Sequence, residues 1–181
     1  MATKQELRRH FQALRDACPP GDRARWSREI CALVAAFCAS RGIRQVGAFA
    51  PFRSEVDLRP LQEAGPGLEF FFPRVVGLDP PRLAWGRPPL VPGTWGLLEP
   101  AQTPHQLPPV QLLLVPGLAF AADGHRLGYG KGFYDGVLAA LPGTVTTLGV
   151  GFQLQACAQL PAGPGDRPVQ GLATEAGLTW F

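Results

Sequence analysis

The segment VPGLAFAADGHRLGYGKGFYDGVL, residues 115–138, guides the interpretation of the whole chain. An apolar run over 112–115 precedes it, and its spacing predicts a helix over 132–140. Between them lie two cations, Arg126 and Lys131, among the glycines 124, 128, 130 and 132. Glycine lets the backbone approach a ligand where a Cβ would clash, and a helix N-terminus attracts anions. A strand, a glycine-rich loop and a helix start therefore predict a phosphate-binding loop.

The loop matches neither of the common phosphate-binding motifs. In a Walker A motif a glycine stands five residues before Gly-Lys, and Ser or Thr follows. Here His125 occupies the first position and Gly132 the hydroxyl position. The dinucleotide pattern G-x-G-x-x-G is also absent, because the glycines run G-x-G-x-G. A glycine-rich surface turn is the alternative, but the neighbouring cations, aromatic residues and Asp135 favour a binding loop.

Composition indicates one globular domain over 1–181. Hydrophobic residues make up 46% and charged residues 17% of the 181 positions, so the chain has enough apolar side chains for a core. The net charge is +3, and the basic residues are scattered rather than clustered. This distribution suits an anionic small molecule and argues against a nucleic-acid partner.

The cysteines and the polar N-terminus predict a cytoplasmic protein. The four cysteines form no C-x-x-C pair, and the three histidines are not spaced with them as metal ligands. Cys31 and Cys38 lie seven apart on a predicted helix and are expected to be buried thiols. No apolar run reaches the roughly 18 residues of a membrane span, so no membrane partner is expected. We expect a monomer.

Helices and strands alternate along the chain, which predicts an α/β fold: a single three-layer α/β/α domain with a mostly parallel sheet. A capping box, Thr3 with Glu6, begins the first helix, and Gly42 ends the second. The segment 77–109 is rich in Pro and Gly and is predicted to be mostly loop. The predicted helices cover 4–17, 22–41, 57–64 and 132–140. The predicted strands cover 46–50, 68–72, 83–85, 112–115, 145–150, 172–173 and 178–181.

Three charged residues outside the loop are candidate ligand contacts. Glu55 follows a predicted strand end, where ligands of α/β sheets collect. Its alternative role is to cap the short helix that follows. Lys4 and Arg8 stand four apart on one side of the first helix. A solvated helix face would explain the same spacing.

Residues within and after the loop also have two interpretations each. Asp135 lies in the first helical turn, where it pairs favourably with the helix dipole or binds Mg²⁺ beside phosphates. Phe133 and Tyr134 either stack on a flat heterocycle or anchor the loop in the core. Asp166 lies in a Pro/Gly loop where exposed acids are common. Trp95 is a candidate core residue rather than a binding wall.

Taken together, the motifs resemble those of the 5-formyltetrahydrofolate cyclo-ligase family over residues 4–175. The N-terminal K-x-x-x-R matches at Lys4 and Arg8, and the Glu-Val pair at 55–56. The segment 95–100 carries the Trp-Gly and Glu-Pro pairs. The signature P-G-x-x-F-x-x-x-G-x-R-L-G-x-G-x-G-x-Y-D matches over 116–135. Further matches are Gln155, Pro161, Asp166 and the final motif at 173–175.

The resemblance implies a three-layer α/β domain and a reaction that uses ATP and Mg²⁺. In this reaction 5-formyltetrahydrofolate, a reduced folate, closes to 5,10-methenyltetrahydrofolate. The formyl oxygen is a poor leaving group, so the γ-phosphoryl group is transferred to it. N10 of the folate then attacks the carbon and phosphate departs. Such a transfer depends mainly on positioning and charge neutralisation.

The resemblance also implies roles for particular residues. Arg126, Lys131 and Tyr134 are implied to be catalytic, and Asp135 and Asp166 to hold Mg²⁺. The residues implied to bind ATP are Lys4, Arg8, Arg126, Leu127, Gly128, Tyr129, Gly130, Lys131, Gly132, Phe133 and Tyr134. Those implied to bind the folate are Ala50, Glu55, Trp95 and Tyr134.

Two positions depart from the family pattern. Ala121 follows Phe120 where the family often has Asp, and Gln170 stands where a second acid often follows Asp166. Both changes remove negative charge that we expect near the metal or the loop. They keep open a non-catalytic nucleotide- or folate-binding protein on the same scaffold, or a relative acting on a sugar phosphate.

Overall fold

A computed structural model describes residues 2–181. Residues 2–181 contain four α-helices: α1 (Lys4–Asp16), α2 (Pro20–Arg41), α3 (Pro60–Ala64) and α4 (Phe133–Ala140). The first six strands are β1 (Gln45–Gly47), β2 (Glu69–Leu78), β3 (Pro81–Gly86), β4 (Leu90–Pro92), β5 (Leu98–Pro100) and β6 (Leu112–Pro116). The others are β7 (Ala119–Ala121), β8 (Arg126–Leu127), β9 (Thr146–Val150), β10 (Ala156–Cys157), β11 (Gly171–Thr174) and β12 (Gly177–Trp180).

Seven strands form the central sheet in the order β12-β11-β9-β6-β1-β2-β3. The inner strands from β11 to β2 are parallel, and β12 and β3 add antiparallel edges. The chain runs from β1 outward to β2, whereas β6 lies on the other side of β1 and leads to β9. The pair β1–β6 is therefore the point where the strand order reverses, and ligands of α/β sheets bind at such points.

Helices cover both faces of this sheet, so the α/β prediction and its three layers are confirmed. On one face α2 and α3 pack on Leu112 and Leu114 of β6. On the opposite face Val137 of α4 packs with Leu113 and Val115. The two faces of β6 alternate because successive side chains of a strand point to opposite sides. All four of these β6 side chains have no exposed surface.

The helix ends predicted from sequence are present. The Thr3 hydroxyl accepts a hydrogen bond from the Glu6 amide at 3.2 Å, and the Glu6 carboxylate accepts one from the Thr3 amide at 2.7 Å. Gly42 ends α2 in the left-handed conformation, with φ of 65°. Cys31 and Cys38 are buried in α2, as expected.

The middle of the chain is more regular than predicted. The second strand was predicted to end at residue 72, but β2 continues through Pro73 to Leu78 and pairs with β3. Proline is tolerated there because β1 pairs only with residues 69–71 of β2. The segment 77–109 also contains the β4–β5 hairpin, which its Pro and Gly content concealed.

Other boundaries shift by a few residues. β1 is Gln45–Gly47, whereas the sequence predicted 46–50, and α3 begins only at Pro60. The residues between these two elements form irregular turns that line the site described below. α1 packs through Phe11 against a small sheet formed by β10, β7 and β8. Over residues 2–181 no helix has the length and apolarity needed to cross a bilayer.

Candidate functional site

A cavity of about 550 Å³, called here the main cavity, opens at the carboxyl ends of β1 and β6. It lies where the strand order reverses. Residues after β1 and residues after β6 face each other across it, and α1 closes one side. Its walls contain Lys4, Arg8, Phe49, Ala50, Phe52, Glu55, Pro73, Val75, Leu83, Trp95, Leu97, Leu98, Glu99, Pro116, Arg126, Leu127, Gly128, Tyr129, Gly130, Lys131, Gly132, Phe133, Tyr134, Asp135 and Asp166.

The glycine loop between β8 and α4 needs its glycines for two physical reasons. Gly130 and Gly132 have φ of 90° and 74°, in the left-handed region that favours glycine. A Cβ on Gly130 would also lie 3.0 Å from Arg8 Cζ. Gly132 forms the N-cap of α4, so the loop delivers its backbone to the start of that helix. Lys131 lies between them and is exposed.

α1 brings two cations to the loop. Arg8 Nε donates a hydrogen bond of 2.9 Å to the Gly128 carbonyl. Lys4 forms an ion pair with Asp166, which also accepts a 2.7 Å hydrogen bond from the Gly163 amide. Burial raises the pKa of Asp166, but Lys4 and the Gly163 amide outweigh it, so that the pKa lies below the ordinary value. Lys4 and Arg8 therefore face the site rather than forming a purely solvated helix surface.

Arg126 is the buried cation of the site. Its guanidinium donates a 3.0 Å hydrogen bond to Asp135, and its Cζ lies 5.7 Å from the centroid of the Tyr134 ring. Only 5% of the Arg126 side chain is exposed. Burial lowers the pKa of Arg126, and the nearby Asp135 partly offsets this effect. Two buried atoms, Arg126 Nε and the Tyr134 hydroxyl, have no hydrogen-bond partner within residues 2–181. Such atoms indicate a site that a polar ligand completes.

Glu55 lies opposite the loop in a tight turn. Its carboxylate accepts a 2.9 Å hydrogen bond from the Phe52 amide, and its own amide donates to the Phe52 carbonyl at 3.2 Å. Burial raises the pKa of Glu55, while the Phe52 amide, Arg15 and Tyr129 lower it by smaller amounts. The local turn thus places a carboxylate in the cavity. The alternative that Glu55 caps the short helix was wrong, because the N-cap of α3 is Arg59 and no side chain of residues 2–181 caps that helix.

Arg15 is a structural contact that the sequence analysis missed. Its side chain donates to the Ser54 hydroxyl at 3.0 Å and to the Tyr129 hydroxyl at 2.7 Å. Only 1% of Arg15 is exposed, whereas its apolar neighbour Leu14 is 38% exposed. The buried face of α1 therefore runs from Phe11 to Arg15 and leaves Leu14 exposed. The i, i+4 spacing of Arg15 from buried Phe11 was the available signal.

Tyr129 links this buried arginine to Glu55. Its hydroxyl accepts the hydrogen bond of Arg15 and also interacts with the Glu55 carboxylate. Burial, more than the nearby Glu55 charge, raises the pKa of Tyr129 to about 12. The phenol therefore stays protonated at neutral pH and remains a donor for the carboxylate.

Of the two interpretations of Trp95, the structure favours the cavity wall over the core. It is 53% exposed and has φ of 56° within a short 3-10 turn. Its ring centroid lies 6.3 Å from that of Phe133. The two rings provide an apolar surface next to the glycine loop. The turn chemistry of the segment, Gly93 to Gly96, was the signal that favoured exposure.

The predicted metal residues Asp135 and Asp166 both face the main cavity. The negative charges of both carboxylates raise the pKa of Arg126, so both lie on the same side of the site as that guanidinium. In residues 2–181 no three His, Cys, Asp or Glu side chains come together as a metal site. Two carboxylates are nevertheless enough for Mg²⁺ when substrate phosphates and water complete its coordination.

The two departures from the family pattern do not line the cavity. Ala121 is buried within β7, with 1% exposure. Gln170 accepts a 2.9 Å hydrogen bond from the Thr147 amide, which ties the chain to β9. Neither change therefore removes a charge from the walls of the main cavity.

Comparisons with known proteins agree with this geometry. The model of the 5-formyltetrahydrofolate cyclo-ligase family matches residues 1–175. The chain is 31% identical to the 5,10-methenyltetrahydrofolate synthetase of Aquifex aeolicus, with a TM-score of 0.83, covering 98% of this chain and 92% of that one. The synthetase of Mycoplasma pneumoniae, 19% identical, shares the fold with a TM-score of 0.79 over 96% of this chain and 99% of that one.

Shorter alignments link the chain to two curated proteins. One is a probable 5-formyltetrahydrofolate cyclo-ligase of Caenorhabditis elegans, 44% identical over 46 residues, 23% of this chain. The other is the 5-formyltetrahydrofolate cyclo-ligase of Mus musculus, 38% identical over 64 residues, 33% of this chain. The aligned segments span 22% and 32% of the lengths of those two proteins. The family match over 1–175 and the Aquifex likeness over nearly the whole chain show that this protein belongs to the 5-formyltetrahydrofolate cyclo-ligase family.

Proposed function

We propose that this protein closes 5-formyltetrahydrofolate to 5,10-methenyltetrahydrofolate at the expense of ATP, with Mg²⁺ as the metal. The observation that carries the proposal is the polarity of the main cavity. Four cations and the glycine loop lie on one side, and a buried carboxylate, Glu55, lies on the other. A site with these two ends suits a triphosphate together with a flat molecule rich in N–H donors.

The proposed reaction consists of a phosphoryl transfer followed by ring closure. The formyl oxygen takes the γ-phosphoryl group, and ADP leaves. The N10 lone pair attacks the former formyl carbon, the C–O bond breaks, and phosphate carries the original formyl oxygen away. The N10 proton is released, and the product is the cationic methenyl compound. ATP supplies the phosphoryl group that turns a poor leaving group into phosphate.

The residues present fit a nucleotide with its phosphates. Arg126 is buried with one donor unused, and Arg8 packs against Gly130 where a Cβ would crowd it. Lys131 is exposed at the start of α4 and adds a third cation beside the free amides of that helix. We assign these residues and Lys4 to phosphate binding, and the remaining loop residues to the surface that holds the nucleotide. Their charges offset those that develop during transfer.

The residues present also fit Mg²⁺. Asp135 and Asp166 are each held by a cation, Arg126 and Lys4 respectively, so their carboxylates are oriented before a ligand arrives. An ion held by two carboxylates and by phosphate oxygens would neutralise charge at the phosphoryl group. Both aspartates keep about a quarter of their side-chain surface exposed, which leaves room for a further contact.

We assign the opposite end of the cavity to the folate. The Glu55 carboxylate accepts N–H donors of the pterin, and Ala50 lines the same wall. The Tyr134 hydroxyl is buried and unpartnered within the described residues, so it is available to donate a hydrogen bond near the reacting groups. Trp95 and Phe133 add apolar walls that keep water away from the activated carbon.

Further parts of the proposal concern the setting of the protein. All four cysteines are free thiols, and burial raises the pKa of Cys31 to about 12 and that of Cys38 to about 11. Free thiols suit a reducing compartment. We propose a cytoplasmic monomer whose partner is a reduced folate, with no nucleic-acid or membrane partner. Size-exclusion chromatography with light scattering tests the monomer.

The test of function is an absorbance assay for the methenyl product. Purified protein is mixed with 5-formyltetrahydrofolate, Mg²⁺ and ATP, and reactions without ATP and without Mg²⁺ serve as controls. A near-ultraviolet rise that requires both additions supports the proposal. Binding of ATP or folate without any rise would contradict it and would favour a non-catalytic binding protein.

A further inference from the structure

The β4–β5 hairpin brings Trp95 to the wall of the main cavity, yet it lies outside the central sheet. Its two strands form a two-stranded sheet of their own. An isolated two-stranded hairpin is marginally stable in water, so it depends on contacts with the body of the protein. Leu90 supplies one such contact at the base of the hairpin, where it packs against the core. To fix Trp95, a second contact is needed nearer the tip.

Glu99 of β5 makes this second contact through a buried carboxylate. Only 3% of Glu99 is exposed. Its Oε1 accepts a 3.2 Å hydrogen bond from the Val75 amide of β2. Arg74 Nε lies 3.7 Å from Oε2 of the same carboxylate, and Arg74 Nη1 donates a 3.4 Å hydrogen bond to the Ala101 carbonyl. Two neighbouring residues of β2 therefore hold β5.

The Val75 amide is available to Glu99 because β2 is longer than its neighbour β1. β1 pairs with residues 69–71 of β2, and no strand of residues 2–181 pairs with that edge beyond them. Amides of alternate residues point to the same edge of a strand, so the residue after Phe71 on this edge is Pro73, which has no N–H. Val75 follows, and Glu99 accepts its amide in place of a missing strand. An apolar side chain at position 99 would leave that amide without a partner.

The tip of the hairpin is shaped around the Glu99 carboxylate. A Cβ on Gly93 would overlap with that carboxylate. The Gly93 amide donates a 2.8 Å hydrogen bond to the Leu97 carbonyl, which closes the tip. Between them Trp95 has φ of 56°, a left-handed conformation that persists only where its surroundings impose it. The closed tip and the carboxylate behind it thus set the position of the indole ring next to Phe133.

We propose that Glu99 is a positioning residue, which fixes the β4–β5 hairpin on β2 so that Trp95 lies against Phe133 beside the glycine loop. The proposal rests on the function proposed above, in which Trp95 is a wall of the folate site. Glu99 acts on the reaction through Trp95, so its loss should raise the KM for the folate. The KM for ATP should change less, because the tie between Arg8 and the glycine loop is separate.

A double-mutant cycle tests whether Glu99 acts through Trp95. Trp95→Ala removes the ring, and Glu99→Leu keeps a buried side chain but leaves the Val75 amide without its acceptor. We expect each change alone to raise the KM for the folate by about tenfold, the equivalent of one aromatic contact. The double variant should show no more than the larger single effect. A roughly hundredfold rise in the double variant, the product of two independent effects, would overturn the proposal, as would an unchanged KM in Glu99→Leu.

Three further variants separate this role from a general loss of stability. Glu99→Gln retains an acceptor for the Val75 amide and should keep the KM for the folate near the wild-type value. A loss as large as that of Glu99→Leu would overturn the assigned contact. Gly93→Ala displaces the carboxylate from the other side and should reproduce Glu99→Leu. Glu69→Gln is the matched control, because Glu69 also lies in a strand and pairs with an arginine, Arg87, but does not line the main cavity.

A measurement without turnover distinguishes this proposal from the proposed function. Protein labelled with 5-fluorotryptophan contains four fluorinated side chains, and the ¹⁹F resonance lost in Trp95→Phe belongs to Trp95. In ligand-free protein, Glu99→Leu should move this resonance, whereas Glu99→Gln should leave it in place. Such a shift would uphold the positioning role even if no methenyl product formed. An unchanged Trp95 resonance in Glu99→Leu, or in Gly93→Ala if Glu99→Leu does not fold, would overturn the role even in an active enzyme.

Discussion

The guanidinium of Arg15 donates a 2.7 Å hydrogen bond to the hydroxyl of Tyr129 and so fastens the glycine loop to the buried face of α1. The same guanidinium holds Ser54, one residue before Glu55. Ser54 in turn donates to Asp16. Arg15 has no direct carboxylate partner in residues 2–181, so its charge is balanced through Tyr129 by Glu55. The two sides of the main cavity are thereby linked through Arg15.

Removal of Arg15 should shift the pH profile of kcat/KM and also destabilise the fold. Arg15 lowers the pKa of Glu55, which burial raises, so Arg15→Met should raise that pKa further. Because we propose that the ionised carboxylate accepts the pterin donors, the acid limb of kcat/KM should move to higher pH. Arg15→Lys should restore part of the shift. We expect a stability loss of about 2 kcal/mol by urea unfolding, since Ser54 and Tyr129 lose a donor. An acid limb that stays in place would show that Arg15 acts only on stability.

Glu55→Gln should bind folate poorly and yet raise stability at neutral pH. The folded-state pKa of Glu55 lies above its ordinary value, so ionisation of the buried carboxyl opposes folding. This penalty is absent below the ordinary pKa of about 4.3 and grows as pH rises through the raised pKa. Thermal unfolding should therefore show a gain for Glu55→Gln at pH 7 that vanishes in acid. Lower stability of the variant at pH 7 would contradict the effect of burial.

Lys131→Ala should raise the KM for ATP by about tenfold, the equivalent of one charge-assisted contact to phosphate. The side chain is exposed, so stability should change by no more than about 0.5 kcal/mol. Arg28→Ala, which removes an exposed cation of α2 outside the cavity, is the control. Initial rates across an ATP titration test this assignment, and an unchanged KM would remove Lys131 from the nucleotide site.

Asp135→Asn should raise the Mg²⁺ concentration for half-maximal rate by about tenfold, because the proposed metal site would lose one ligand charge. Asp123→Asn removes an acid from the same part of the chain, but Asp123 does not line the cavity. Its Mg²⁺ titration should match wild type. If the two variants need the same Mg²⁺ concentration for half-maximal rate, Asp135 serves only to pair with Arg126.

Two glycine substitutions test the conformation of the loop and that of the following helix separately. Gly130→Ala should cost about 1–2 kcal/mol and impair ATP use, because φ is 90° and the new Cβ would lie 3.0 Å from Arg8 Cζ. Gly136→Ala lies within α4, where no atom comes within 4 Å of the added Cβ. It should stabilise the protein by about 0.5–1 kcal/mol with little effect on ATP use. Equal effects of the two would argue against the special conformation of Gly130.

Local signals predicted the elements that depend on local chemistry. The capping box at Thr3 gave the start of α1, and the apolar run at 112–115 gave the central strand β6. The extension of β2 past Pro73 was not predictable in this way. It depends on which side of that strand has a neighbour, and that is a property of the whole sheet.

In the site, too, some residues were predictable from the local sequence and others were not. The glycine loop was evident from its own residues, because φ above zero and close approach both demand glycine. Arg15 was not evident, because a cation in a helix resembles a surface residue until its buried partners, Ser54 and Tyr129, are known. Side-chain contacts between elements distant in sequence carry no local pattern.

The most direct measurement follows the formyl oxygen. The protein is given 5-formyltetrahydrofolate labelled with ¹⁸O in the formyl group, together with Mg²⁺ and ATP, and the released phosphate is analysed by mass spectrometry. If the main cavity transfers the γ-phosphoryl group to that oxygen, the label appears in phosphate in proportion to the methenyl product. Methenyl product with unlabelled phosphate, or no product from protein that binds both substrates, would contradict the account.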